Sequence, residues 1–504
     1  MNKQRKKTKL KKHSKHWQCG FFNPSIQYIF TARRASDRSI VVSNQSGKFQ
    51  LHAYDFETGQ NRQVTKKPYG ALFGSISPDG EYVYYLNDQT GDEHGHFVRS
   101  PFSGGKVIDI TPNIPPYFSY TLSSNEHNDV LCFTAAFARE NRVYLVPFSS
   151  VGNPGTPKVI YQSTASLSEP IMSLDSAYTC ITKMDTDKKH GSKLILIENA
   201  TGKILKRSIL HILGSSTPLA FSQKPTEHKV LALSNTSGHY RPVLYDFNHK
   251  KVFEIAHFSF RGDVFVLQWD EEKDTFLLCD VYKAHHRLFL YNIRTKKAAR
   301  VGPTTGSFNL HFDSVASLKN SSFLLKWNDF NTPSHLLKLK APRYTSWNEA
   351  HASAVRSPTK YSVRSVWFRS SDGERIQMWV ALPKNIKGSV PFVIDIHGGP
   401  HGVISDEYSP EAQAWLANGF GYCTVNYRGS VGFGKSFEEK IYGNPGYWEV
   451  EDIVAARNWL VKNRCANPEQ IVLSGWSWGG ICHTACAWYI SKSLELRRCR
   501  RSNH

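Results

Sequence analysis

From Gln50 to Lys340 the chain repeats one phrase: a strand-like run, a tight turn, then another strand-like run. The phrase opens at Tyr54 (YDFETGQ), Ser100 (SPFSGGK), Val146 (VPFSSVG), Ile197 (IENATGK), Tyr245 (YDFNHKK), Tyr291 (YNIRTKK) and Leu337 (LKLKAP). Successive openings lie 46, 46, 51, 48, 46 and 46 residues apart. Each interval leaves room for more strands, such as EYVYYLND after the turn SPDG at Ser77 to Gly80. A strand group returning at this spacing cannot bury its apolar surface alone and must stack on its neighbours. The pattern points to a β-propeller of about seven blades, against the alternative of an irregular β-rich domain with chance repeats. An aromatic content of 13%, much of it in alternating runs, favours strands as well.

Beyond this repeat the chain changes in kind. After the linker-like APRYTSWNEAHASAVRSPTK comes a hairpin, YSVRSVWFRSSDGERIQMWVALP, turned at Asp372-Gly373. Strands and helices then alternate. PFVIDIHGG, GYCTVNYRGS and QIVLSG read as strands; SPEAQAWLANG and NPGYWEVEDIVAARNWLVKN read as helices. On the second helix Val450, Ile453, Val454, Leu460 and Val461 fall roughly on one side. A hairpin followed by β-α-β-α-β is the opening half of an α/β-hydrolase sheet. The expected organisation is a basic tail at 1–16, a propeller at 17–340, a linker at 341–361 and a partial hydrolase domain at 362–480. Residues 481–504 read as an aberrant tail.

The last strand runs into LSGWSWGG, a G-x-S-x-G turn with Ser477 at its centre. This arrangement presents a serine as a nucleophile, while the following residue, Trp478, offers its backbone N–H to an oxyanion. The second oxyanion donor is expected from the loop after the first core strand, HGGPHG, where His397, Gly398 and Gly399 bare the backbone. A Gly-rich turn without a ligand is the bland alternative for that loop. DEHGH (Asp92 to His96) and the pair His285-His286 lack a third ligand at readable spacing, so loop polarity is expected there and no metal. Asp452 precedes the serine and is expected to pair with a neighbour.

Taken together, DIHGGPHG, VNYRGSVGFGKSF, YGNPGYWEVEDIVAARNWL and QIVLSGWSWGG resemble the prolyl oligopeptidase family of serine peptidases, especially its acylaminoacyl-peptidase and dipeptidyl-peptidase-like branches. The resemblance covers about Ser362 to Gly480. It implies a seven-bladed propeller that screens out folded proteins and a peptidase acting on oligopeptides through an acyl-enzyme. It places the nucleophile on Ser477 and oxyanion contacts on Trp478 and the His397–Gly399 loop. Some members donate a tyrosine hydroxyl where this chain has His397. It also implies a triad Asp and His on later strands, whereas only 27 residues follow Ser477. ICHTACAWYISKSLELRRCRRSNH reads as a shifted or prematurely ended frame, so little or no turnover is expected of this chain. His483, six residues on along its own helix, does not face Ser477 at about 100° per residue. Without a further strand, QIVLSG is expected to be a bare, sticky edge and the region from Ser362 on to be loose.

The formal charge of +21 is concentrated at the ends. The first sixteen residues carry eight Lys/Arg and no acid, and SKSLELRRCRRSNH carries five bases against one acid. A solvated tail is the expected reading, with nucleic-acid binding the weaker alternative because no base-reading motif accompanies the charge. Nine cysteines at irregular spacing, with no CxxC, argue against a disulfide framework or zinc and for a reducing, cytoplasmic setting. No run of about 20 apolar residues predicts a membrane span. Oligopeptides are the expected partners, no cofactor is expected, and no motif fixes an oligomeric state. A non-catalytic propeller that binds peptides or proteins is the rival reading.

Overall fold

The computed structural model describes residues 24–487, with breaks at 151, 186–190, 206–209, 213–215, 225–226, 250, 256–259, 319–321, 348–359 and 386–387. The basic run at 1–16, Cys19, most of the linker and the residues from 488 on, Cys499 included, lie outside the described residues.

Seven antiparallel sheets follow one another along the chain. The first is built from Ile26–Thr31, Arg38–Ser43, Gln50–Asp55 and Gln60–Gln63. The others occupy 75–109, 122–163, 171–212, 216–254, 263–301 and 307–346, the fourth and seventh gaining a fifth strand. The repeat has a structural meaning. Tyr54, Ser100, Val146, Ile197, Tyr245, Tyr291 and Leu337 all lie on the third strand of their blades, and all are buried. The turn after each carries the chain to the outer strand.

Between neighbouring blades the apolar side chains gather into seven clusters, one per seam. Ile40 and Val42 meet Val83 and Val98 between the first two blades, and Leu267 and Leu277 meet Leu325 and Leu337 between the last two. The ring closes where Ile29, Val41 and Tyr54 of the first blade pack on Ala316, Leu324 and Leu336 of the seventh. No strand is exchanged across that seam among the described residues; apolar packing holds it, joined by the Thr31 N–H bond to the Asp313 carbonyl at 3.1 Å.

The remaining residues form a five-stranded sheet. Its strands are β1 (Ser362–Arg369), β2 (Arg375–Leu382), β3 (Val390–Ile396), β4 (Gly421–Asn426) and β5 (Ala466–Gly475), in the order β1-β2-β4-β3-β5. β1, β2 and β4 pair antiparallel, whereas β3 is parallel to both β4 and β5. Helix α1 (Pro410–Ala417), capped by the Ser409 side chain, links β3 to β4. Helix α2 (Trp448–Lys462) links β4 to β5, which lies on the other side of β3. The order reverses at β3, and such a reversal leaves a crevice at the strands' carboxyl ends. A third helix, α3, covers 478–487.

α2 buries Val450, Ile453, Ala456 and Leu460 against the sheet, while Val454 and Val461 are only partly covered. The same face buries two acids, Glu449 and Asp452, which hydrophobic periodicity does not reveal. The core continues past Gly480, since Cys482 and Cys486 on α3 are fully buried in it. β5 forms the sheet edge among the described residues; Ile471 and Leu473 pack inward, while Val472 faces out.

This domain sits over blades five to seven. Asp406 accepts the N–H groups of Gly306 and Phe330 at 3.0 Å each, and Gln413 donates to the Phe330 carbonyl at 2.7 Å. The Gly432 N–H reaches Asp263 at 2.5 Å, and the Tyr240 hydroxyl donates to Glu438 at 3.0 Å. Every propeller residue in these contacts lies at the start of an inner strand or in the turn between second and third strands. The hydrolase domain therefore covers one face of the ring, the face where inner strands begin.

Candidate active site

β3 and β5 are adjacent and parallel, with Ile396 opposite Gly475. That register brings the loop after β3 and the turn after β5 to the same place. Ser477 occupies the turn with a φ of 55°, a left-handed conformation that a non-glycine residue adopts only at a cost. The flanking glycines are what allow it. A methyl on Gly479 would overlap the Ile396 carbonyl oxygen, and one on Gly475 would sit 2.5 Å from the Gly479 carbonyl oxygen. Strand and helix thus approach as closely as a side-chain-free backbone permits.

The loop after β3 meets the serine through Gly398. A Cβ there would lie 3.4 Å from the Ser477 Cβ and 3.1 Å from the Trp476 carbonyl oxygen. The N–H groups of Gly399 and Trp478 have no carbonyl partner among the described residues. Gly480 and Ile481 donate back to the Ser477 carbonyl, which starts α3 and points its positive end at the site. Ser477 itself is exposed.

The His397 ring is committed elsewhere. Nδ1 is 2.8 Å from the Gly398 carbonyl oxygen and Nε2 is 3.1 Å from the Ser430 hydroxyl. The imidazole stacks on Tyr427, centroids 4.3 Å apart, and the Tyr427 hydroxyl donates to the His397 carbonyl at 2.8 Å. Burial pushes its pKa down to about 4, so the ring is neutral and carries one N–H. The Gly398 carbonyl takes that N–H, and the Ser430 hydroxyl sits between Nε2 and the Tyr427 carbonyl oxygen, which is 2.7 Å from it. What this loop offers Ser477 is backbone.

Trp478 is pinned from below: its Nε1–H donates to Glu449 at 3.1 Å, and Glu449 also accepts the Gly446 N–H at 3.0 Å. Asp452 pairs with a neighbour, as its position before the serine suggests. It accepts the backbone N–H and the guanidinium of Arg428, the closest approach being 2.6 Å, together with the Ser370 hydroxyl at 2.6 Å. Arg428 adds Asp372 at 2.6 Å and lies 4.0 Å over the Trp448 ring. This network fastens β4, the β1–β2 turn and α2 behind the elbow. Except for one spacing, nothing in the sequence pattern sets Glu449, Tyr427, Arg428 and Ser430 apart from the motifs that contain them. The available signal was the spacing of Glu449 and Asp452, three residues apart on an otherwise apolar helix face.

Among the described residues, no side chain hydrogen-bonds the Ser477 hydroxyl. His483, on α3, is not brought to it. The other candidates resolve into local structure. His94 bonds within its own loop, and His96 reaches Asp109 at 3.0 Å. His285 packs edge-on against Trp379 in the domain interface, and His286 accepts the Phe308 N–H at 3.1 Å. No group of three metal-ligating side chains occurs among the described residues, nor any helix long and apolar enough to cross a membrane.

The prolyl oligopeptidase family model matches residues 406–489. Acylamino-acid-releasing enzyme 1 of Oryza sativa subsp. japonica is 25% identical over 235 residues, 43% of this chain and 30% of the relative. Dipeptidyl-peptidase 5 of Schizosaccharomyces pombe is 30% identical over 176 residues, 33% of this chain and 25% of the relative. The chain thus matches less than a third of either relative's length. Among solved structures, a prolyl endopeptidase superimposes with a TM-score of 0.76 at 16% identity, covering 94% of this chain and 71% of that one. Acylaminoacyl peptidase of Pyrococcus horikoshii gives 0.67 at 13% identity, covering 93% and 76%. Those likenesses establish the fold, a seven-bladed propeller carrying the start of an α/β-hydrolase domain. Through residues 406–489 the hydrolase segment matches the prolyl oligopeptidase family in sequence.

Proposed function

We propose that Ser477 is the nucleophile of a peptidase that attacks the carbonyl of an oligopeptide and carries the acyl group. The left-handed turn at Ser477, seated against Gly398, carries this reading. Attack moves the hydroxyl proton to a base and charge to the carbonyl oxygen, and the N–H groups of Trp478 and Gly399 receive that charge. Glu449 holds Trp478 in place, and the Tyr427–His397 stack supports the opposite loop.

The described residues supply nucleophile and oxyanion donors but no base in contact with the serine. Residues 1–504 tested alone are therefore expected to turn over slowly, keeping roughly the 10³–10⁴-fold over water that such sites retain without a triad. Oligopeptides are the proposed substrates, and seven free, buried thiols support a reducing, cytoplasmic compartment. Hydrolysis of a chromogenic acyl-peptide by the chain and by Ser477→Ala tests this reading. A slow rate that falls further in the variant supports it; equal rates refute the serine assignment, and fast hydrolysis refutes the missing base. The rival reading, a propeller that binds peptides without catalysis, is favoured by one observation, the cavity on the ring axis.

A further inference from the structure

The blades enclose a cavity of about 430 Å³ on their common axis, lined by inner strands. Inner strands begin at the hydrolase face, so the turns that follow them open on the opposite face. Arg33 follows the first inner strand and Pro78 the second; both line the cavity at the mouth remote from Ser477.

Two groups of opposite sign in this cavity carry solvent-shielded atoms that form no hydrogen bond among the described residues. The Nε and Nη2 atoms of Arg33 are shielded from solvent and make no hydrogen bond among the described residues. Asp313 lies 3.3 Å from Nε but out of hydrogen-bonding line, and the guanidinium rests over Phe312. Arg34, beside it, is engaged by Glu126 at 2.9 Å. Three blades round the ring, Glu169 accepts the Tyr120 N–H at 3.1 Å and is also stabilised by the Thr121 N–H, while its Oε2 is buried and has no hydrogen-bond donor among the described residues. Burial pushes this carboxyl up to about 7, as happens where a carboxylate lacks a cation. Buried polar atoms without partners are rare in folded proteins.

A simple anion would answer the free Arg33 N–H groups but leave the Glu169 oxygen without a donor. A simple cation would satisfy Glu169 but meet Arg33. A zwitterion answers both, and the volume falls in the range of small-ligand sites. We propose that the axial cavity binds a short peptide with free ends, its carboxylate on Arg33 and its ammonium on Glu169. Phe30, Ile76 and Leu122 give its side chains apolar wall. This site is independent of the serine reading.

The test uses the full chain carrying Ser477→Ala and follows binding by calorimetry. The probes are tri-alanine, its N-acetyl form and its carboxamide, with alanine, di-alanine and tetra-alanine to find the best length. Tri-alanine or a neighbour in length should bind one to one, and each cap should weaken it roughly tenfold or more. Arg33→Gln should abolish the preference for a free carboxylate, and Glu169→Gln the preference for a free amine, both with unchanged thermal unfolding of the propeller. Absence of saturable binding, or equal binding of capped and free peptides, overturns the proposal and leaves a water-filled channel. Binding that survives both variants also overturns it, placing the peptide elsewhere.

Discussion

Asp452→Ala is the perturbation whose size the structure defines best. Asp452 is fully buried and accepts from four donor groups, three on Arg428 and the Ser370 hydroxyl. Removing one partner of a buried ion pair costs about 3–5 kcal/mol, because the remaining charge stays buried and uncompensated. Arg428 keeps Asp372, whose side chain is about one-third exposed, and that places the loss near the lower end, about 3 kcal/mol. The damage should be local, since no propeller residue joins this network. Hydrogen exchange read by mass spectrometry separates the two domains. Peptides from β3, β4 and β5 should open roughly 100-fold more often, while blade peptides keep their protection. Replacing both members, Arg428→Met with Asp452→Leu, should recover most of the loss. A change below about 1 kcal/mol in the single variant, or equal loosening of the blades, would refute the reasoning.

Three further outcomes follow from particular residues. Glu438 is pushed up to about 7, first by burial and then by Asp263, while Tyr240 opposes the shift; His401 stands 3.7 Å away and Glu439 adds repulsion. A carboxyl whose folded pKa is raised makes the folded state bind the extra proton, so stability falls as pH rises from about 4.5 to about 7; Glu438→Gln should flatten that slope in thermal melts. Cys132, Cys482 and Cys486 are each pushed up to about 12 by burial, so native-state alkylation mapped by mass spectrometry should leave all three unmodified. Val472, Trp476 and Ile481 are 39%, 87% and 58% exposed at the β5 edge, and Val472→Lys should lower light scattering of the purified chain.

How legible all this was depended on the range of the interactions. The blades were readable because each third strand ends in a local turn after a buried anchor, so Tyr54 and its six counterparts recur in step. The elbow was readable for the same reason: Gly475, Ser477 and Gly479 lie within five residues and meet steric demands of one turn. Arg428 and Asp452 are 24 residues apart, and Asp263 and Gly432 are 169 apart. Polar pairs at such separations leave no periodic trace, so neither the network behind the elbow nor the docking onto blades five to seven could be read from pattern. The direction of the His397 ring likewise depends on Tyr427 and Ser430, which only the folded chain brings beneath it.

Fluorophosphonate labelling, mapped by peptide mass spectrometry, bears most directly on the role given to Ser477. The reagent is attacked by an activated serine hydroxyl and stays attached, so one modified residue reports nucleophile and oxyanion site together. Slow, single modification at Ser477, absent from Ser477→Ala and weakened in Gly479→Ala, is the expected result. Modification at another serine, or none under conditions that label a serine peptidase bearing a complete triad, would contradict it.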